Sequence, residues 1–331
     1  MIGGTMREWE QEILGQYDID VKNKRKIRGG LLCETDDKVY LLAETKLSES
    51  RLEMLECLQE HLEQDGIKEI DRLLRNKEEK FLCELEDGSK YFVKQWFQGR
   101  ECDIKKENEI LNATKNLARI HKSMRKEIVW KENRSPCLGA ELQQVFLRHN
   151  RELRKVRSYI RKRVDKGHFE NTFLKNYDSM YEWAEMALRE LEEMGNNNIE
   201  RTVIHGDYNY HNIIILHNGM ATTNFEHFEE NVQARDLYYF YRKVMEKNHW
   251  NMHLGEQILD YYNRFLSLTD SERKYIGICI AYPEKFWKAA NSYARSKKTW
   301  ISAKSVEKLE LISAQMTEKR EFLDKVFNFR L

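Results

Sequence analysis

The feature that most restricts the fold is a β island in helical surroundings. IIIL at 213–216, the turn His217-Asn218-Gly219 and then MATTNF read as a hairpin, directly after the polar stretch HGDYNYHN at 205–212. That stretch is therefore a loop feeding a small sheet, a common setting for functional side chains. Around it the periodicity is helical. Ile110, Thr114, Leu117, His121 and Met124 share one face of ENEILNATKNLARIHKSM, and Leu174, Tyr177, Tyr181, Ala184, Leu188 and Leu191 share one face of FLKNYDSMYEWAEMALRELEEM. EQILDYYNRFL and EKLELISAQMTEKREFLDKVF continue the pattern, and only two prolines, Pro136 and Pro283, interrupt the 331 residues.

The front of the chain has a different character. ETDDKVYLLAETKL pairs an Asp36-Asp37 turn with a β-rich run, and EKFLCELEDGSKYFVKQW predicts two strands about an Asp87-Gly88 turn. Between them SESRLEMLECLQEHL predicts a helix, with Ser50 and Glu53 as a capping box and Leu52, Leu55, Leu58 and Leu62 at helical spacing. The expected class is α+β in two lobes: a small β-rich lobe over residues 1–97 and a large, mainly helical lobe over 98–331 that carries the loop region 203–228.

Charge and composition exclude several functions. Fifty-six Lys and Arg against 55 Asp and Glu leave a formal net charge of +1, so no whole-molecule field points to nucleic acid or an anionic membrane. No run approaches the roughly 20 apolar residues that span a bilayer. MIGGTMREWEQEIL also lacks a basic region followed by an apolar one, and synthesis and retention in a cytoplasm are expected. The six cysteines form no CxxC pair and no metal-type spacing, which predicts buried, reduced thiols.

Phosphoryl transfer from a nucleotide needs an acid to receive the acceptor hydroxyl's hydrogen bond, amide or carboxylate ligands for magnesium, and usually a lysine to steady the phosphates. His205-Gly206-Asp207, with Asn212 five residues further on, supplies the first two from one loop. By composition, such a match arises by accident with odds of about a few per cent, so it gains its weight from the strands and helices around it.

The blocks RGGLLCETDDKVYLLAETKLS, WFQGREC, RHNRELRKVRSYIRKR, HGDYNYHNIII, RDLYYFYRKVMEKNHW and AYPEKFWKAANSYARSKKTWI cover nearly the whole chain. Together they resemble the CotS family of bacterial spore coat proteins, within the aminoglycoside phosphotransferase and choline kinase superfamily of two-lobed, protein-kinase-like folds. The resemblance implies that Asp207 takes the catalytic-base position, Asn212 the first metal position, His205 a loop-bracing role and Asp236 a supporting role beneath the loop. Gln95, Trp96 and Phe97 resemble the hinge whose backbone meets an adenine. ATP and magnesium are the cofactors it implies.

Two positions depart from that pattern. Asn224 stands twelve residues after Asn212, where the family carries its second metal-binding aspartate, and removes one negative charge from a cation site. Ala43 stands where the phosphate-steadying lysine belongs, and Lys46, at an odd offset along the strand, points to the other face. Glu226, Glu229 and Glu230 are near Asn224 in sequence but farther along the exit from the strand. If both losses act on catalysis, they cost roughly four to six orders of magnitude in rate.

Other motifs have plainer readings. The run from Arg148 to Lys166 holds nine basic residues against Glu152 and Asp165, a solvated face or a surface for an anionic partner, and with only Tyr159 interleaved it argues against nucleic acid. Gly29-Gly30 lacks a nucleotide fingerprint and reads as a bend between strands. Tyr238 to Tyr241 and Trp250 read as core, and His211 as loop packing or a phosphate contact. The expected function is a spore coat-associated, kinase-like protein, a degenerate phosphotransferase (pseudokinase) acting in coat assembly through coat proteins or polymer. It would be made in the mother cell and deposited on the spore. The alternative is an active ATP- and magnesium-dependent phosphotransferase for a small hydroxylated molecule or for a coat polymer or protein.

Overall fold

The computed structural model describes residues 7–131, 135–195, 199–296 and 303–330. The end of the resemblance block RSKKTWI, at 297–301, lies outside the described residues. Two compact units emerge: one of the residues up to Asp103, Asn116–Cys137 and Val203–Glu230, the other of Ile104–Lys115, Leu138–Thr202 and the chain from Asn231 onward.

The first unit opens with helix α1 (Glu8–Gln16) and is built on strands β1 (Asn23–Ile27), β2 (Gly30–Glu34), β3 (Val39–Thr45), β4 (Cys83–Glu84) and β5 (Lys90–Trp96). They form an antiparallel sheet in the order β1-β2-β3-β5-β4. The three expected turns are present. Arg28-Gly29 joins β1 to β2, with Gly29 at a φ of 88° that favours glycine. Strand alternation then divides the sheet's side chains between two faces. Leu42 and Val93 pack with Ile13, Leu14, Tyr17 and Cys33 in a core under α1. Their neighbours Leu41, Ala43, Phe92, Lys94 and Trp96 face the opposite way and line a cavity of about 740 Å³.

Helix α2 (Glu49–Gln64) buries Leu52, Leu55, Leu58 and Leu62 as its spacing predicts, but its cap is Ser48, whose hydroxyl accepts the Arg51 N–H, rather than Ser50. The helix begins two residues earlier than the capping box implied. Its buried Gln59 donates to the Asp71 carbonyl at 2.7 Å and accepts the Leu73 N–H at 3.1 Å, fixing the stretch between α2 and β4. That stretch laces two sheets together: Gln95 N–H donates to Arg72, Leu74 N–H to Val93, and Thr222 N–H to Glu69. The second of those sheets, ordered β6-β8-β9, holds β6 (Arg100–Glu101), β8 (Ile213–Leu216) and β9 (Gly219–Thr222), with the expected hairpin between the last two. Strands β7 (Arg201–Ile204) and β10 (Glu229–Val232) form a further pair.

Helix α3 (Glu107–Met124) passes from the second unit into the first and buries all five residues of its expected face. The rest of the second unit is helical: α4 (Leu142–Lys162), α5 (His168–Met194), α6 (Ala234–Lys247), α7 (Met252–Phe265), α8 (Asp270–Ala281), α9 (Glu284–Arg295), α10 (Ala303–Ala314) and α11 (Met316–Phe327). Leu153, Ile160, Phe173, Tyr177, Phe286 and Leu309 anchor a core shared by α4, α5, α9 and α10. Tyr238, Phe240, Tyr241 and Trp250 are buried, as expected. Five cysteines are buried free thiols, whereas Cys137, on an exposed loop before α4, is not buried. No helix among the described residues is long and apolar enough to cross a membrane.

Candidate active site

The loop after β7 is shaped by Gly206. Its φ is 81°, and a Cβ there would lie 2.1 Å from the His227 carbonyl oxygen, so any side chain would force the loop open. His205 is fully buried and bonded on both ring nitrogens: Nδ1 accepts the Asp207 N–H at 3.2 Å, and Nε2 donates to the Thr223 carbonyl at 3.0 Å. Because a backbone N–H can only donate and a carbonyl only accept, these partners fix the neutral Nε2–H tautomer. His205 thus ties the loop to the end of β9.

Asp207 lines the cavity. Its Oδ1 accepts from Asn209 at 2.9 Å and its Oδ2 from Asn212 at 2.9 Å. The Asn212 carbonyl oxygen Oδ1 accepts in turn from Asn224 Nδ2 at 2.8 Å, and Asn224 Oδ1 accepts from the Lys94 ammonium at 2.7 Å. A lysine ammonium only donates and a carboxylate only accepts, so the two ends fix the orientation of both amides between them. Asn224 sits in the left-handed region at φ 67°, a conformation Asn and Asp tolerate better than most residues, and its N–H donates to Asp71 Oδ2 at 2.7 Å.

Lys94 is the residue the sequence reading missed. It lies on β5 beside Leu41 of β3, two pairs along from Ala43 and Phe92 and so on the same face, and enters the cavity from the neighbouring strand. Ala43 lines the cavity, and Lys94 reaches it from β5. Lys46 lines it too: β3 ends at Thr45, so strand alternation no longer directs its side chain away. The Lys94 side chain is 2% exposed; it pairs with Asp71 at 2.6 Å and with Glu226, and lies 5.2 Å from the centre of the Trp96 ring.

Glu226 does not continue along the strand exit as its sequence position suggested. The left-handed Asn224 and the short 3₁₀ turn Phe225–His227 reverse the chain and bring its carboxylate back to Lys94. Glu229 and Glu230 instead lie on β10. Two carboxylates share one buried ammonium. Burial outweighs Lys94 at Asp71 and pushes its carboxyl up to about 7, while Lys94 overcomes burial at Glu226 and holds that carboxyl below its ordinary range. The Lys94 ammonium is raised, because the two carboxylates outweigh its own desolvation.

The remaining expected residues are distributed as follows. Trp96 and Phe97 line the cavity, whereas the Gln95 N–H is taken by the Arg72 carbonyl at 2.8 Å. His211 contacts Glu101 at 2.5 Å at the cavity wall. Asp236 is fully buried in the first turn of α6, in the second unit. Glu56 of α2 pairs with Arg75 and Lys131.

A divalent cation does not fit this arrangement. The Asn212 oxygen that would bind it already accepts the Asn224 amide, the Asn224 oxygen accepts an ammonium, and that ammonium stands against Asp71 and Glu226. The two buried oxygens left without a partner, Asp71 Oδ1 and Glu226 Oε2, belong to carboxylates that Lys94 already neutralises in part. No group of three or more His, Cys, Asp or Glu suited to a metal occurs among the described residues.

The family model described as "Spore coat putative kinase YutH" matches residues 10–326. The chain belongs to that CotS-like family of spore coat kinase-like proteins. No curated protein matches it. Among solved structures, an aminoglycoside phosphotransferase from Alicyclobacillus acidocaldarius is 15% identical with a TM-score of 0.83, over 98% of this chain and 96% of that one. Spectinomycin phosphotransferase APH(9)-Ia, in complex with ADP and spectinomycin, is 14% identical with a TM-score of 0.70, over 95% and 99%. Amicoumacin kinase hAmiN, in complex with AMP-PNP, Ca²⁺ and Ami, is 12% identical with a TM-score of 0.62, over 96% and 93%. At these identities the likeness establishes the fold: a kinase-like α+β architecture with a small antiparallel sheet lobe and a mostly helical one.

Proposed function

We propose that this chain serves the spore coat as a kinase-like binding protein, a degenerate phosphotransferase that acts in coat assembly by contact rather than by moving phosphate. The observation that carries this reading is the continuous bonded chain Lys94–Asn224–Asn212–Asp207. Phosphoryl transfer in this fold depends on a metal that bridges the phosphates and neutralises developing charge. Here the oxygens that would hold it are spent on internal partners, and a tethered ammonium occupies the centre of negative charge. Loss of one such stabilising group costs enzymes about two to three orders of magnitude in rate.

On this reading ATP, where it binds, does so without magnesium, its phosphates meeting cavity-lining cations such as Lys94, Lys46 and Arg28. The family supports a coat location, with synthesis in the mother cell and coat proteins or polymer as partners.

A second reading, an active phosphotransferase for a small hydroxylated molecule or a coat polymer or protein, is favoured by Asp207 standing on the cavity wall beside Asn212. Thermal-shift titration with ATP, in magnesium and in EDTA, separates the two. The first reading expects the same shift in both media and no phosphate release above background. A shift that requires magnesium, joined to turnover abolished in Asp207→Asn, would replace it with the second.

A further inference from the structure

A groove of about 940 Å³ in the second unit, sharing no lining residue with the cavity of the first, has a wall of one sign. Six cations line it, Arg242 and Lys243 from α6, Lys285, Lys288 and Arg295 from α9, and Lys308 from α10, with no Asp or Glu in the lining. Glu246 and Glu284 offset part of this charge from outside that lining: Arg242 pairs with both, at 2.8 and 3.3 Å, Lys285 with Glu246 at 2.9 Å, and Lys288 with Glu284. Two carboxylates against six cations leave a clear excess. Among the described residues, Lys243, Arg295 and Lys308 have no carboxylate in ion-pair range. Burial first, then Arg242, with Lys288 and Lys285 adding to it, holds the Lys243 ammonium below its ordinary range against the opposing pull of Glu246.

We propose that this groove binds an acidic polypeptide segment, an extended stretch carrying Asp or Glu at alternate positions. The spacing of the charges supports this ligand. Lys285, Lys288 and Arg295 span eleven residues of one helix, about 15 Å along its axis. An extended peptide sets alternate side chains about 6.6–6.8 Å apart, so two or three successive carboxylates reach along that row, which a single phosphate does not.

The chemistry of the wall points the same way. Four of the six cations are lysines, point charges suited to separate carboxylates, and Arg242 is engaged by Glu246 and Glu284 rather than free for a bidentate phosphate. The groove's aromatic rings are poor platforms for bases: Trp287 is stacked on His149 at 3.4 Å and bonded through Nε1 to Glu152, and Tyr293 is stacked on Phe169 at 4.9 Å and bonded to Glu170.

The test uses the full-length chain and fluorescence anisotropy with a labelled peptide of alternating Glu and Ser. Its competitors are the same acidic peptide unlabelled, an alternating Lys and Ser peptide, inorganic tripolyphosphate and single-stranded DNA. The expected result is salt-sensitive binding that the acidic peptide displaces best and the lysine peptide does not displace. Binding should weaken by about tenfold or more in the triple variant Lys243→Gln, Arg295→Gln, Lys308→Gln. A control triple variant on α4, Arg148→Gln, Arg151→Gln, Lys155→Gln, should leave binding unchanged, and matched melting curves show that both variants fold. Absence of binding, equal loss in both variants, no loss in the groove variant, or stronger competition by tripolyphosphate or DNA overturns the proposal.

Discussion

Lys94 decides how the cavity of the first unit behaves, because it is a buried cation with two buried acids and an amide as its partners. Lys94→Met removes the charge and keeps much of the volume, leaving Asp71 and Glu226 uncompensated. Breaking a buried pair from one side costs about 3–5 kcal/mol, so a loss of that order is expected at neutral pH by chemical denaturation. It should shrink in mild acid, where both carboxylates protonate. A loss that does not change with pH would contradict this account.

Asp71 makes a second prediction, with a definite sign. Its folded-state carboxyl is raised to about 7 from the ordinary carboxylate range, so the folded protein holds that proton more tightly than the unfolded chain. Its contribution is fully present below about pH 4 and is lost as pH rises through about 7. The proton has a place to sit, Oδ1, which is buried without a partner. Stability should therefore fall by a few kcal/mol at most between about pH 5 and pH 8, and Asp71→Asn should flatten that slope. Glu226, held low, works in the opposite sense and only in acid. A wild-type slope that persists unchanged in the variant would assign it to another group.

At the scale of the element, the strands and helices were legible because their periods are local. Leu41, Leu42 and Ala43 alternate as a strand must, and the five residues from Ile110 to Met124 repeat as a helix must. The loop residues Asp207 and Asn212 were legible from their spacing, and His205 from its neighbours. Lys94 was not, because nothing in KYFVKQW says that a lysine between Val93 and Gln95 faces inward. Only the register of β5 against β3, two strands distant in sequence, places it opposite Leu41. Asp71 was hidden for a similar reason: the irregular stretch that carries it has no period and is held by Gln59 of α2. Glu226 was misjudged by extrapolating a strand that the left-handed Asn224 ends.

At the scale of the whole molecule, the first unit is not continuous in sequence. Lys94 and Asp71 come from its first stretch, Asn224 and Glu226 from its last, more than 120 residues away, with the backbone bond from Thr222 to Glu69 and the bridge between Thr222 and Ile70 joining the same stretches. Residues 1–103 produced alone would keep the five-stranded sheet's sequence. They would lose Glu226, leaving Lys94 with one carboxylate that burial already pushes toward neutrality. They would also expose the strand-like stretch that β9 otherwise covers. The expected outcome is a fragment with no cooperative thermal transition by circular dichroism and poor amide dispersion by NMR. A fragment that melts cooperatively would mean that the sheet and α1 suffice for the unit, and that the Lys94 cluster contributes geometry to the cavity without being needed for the fold.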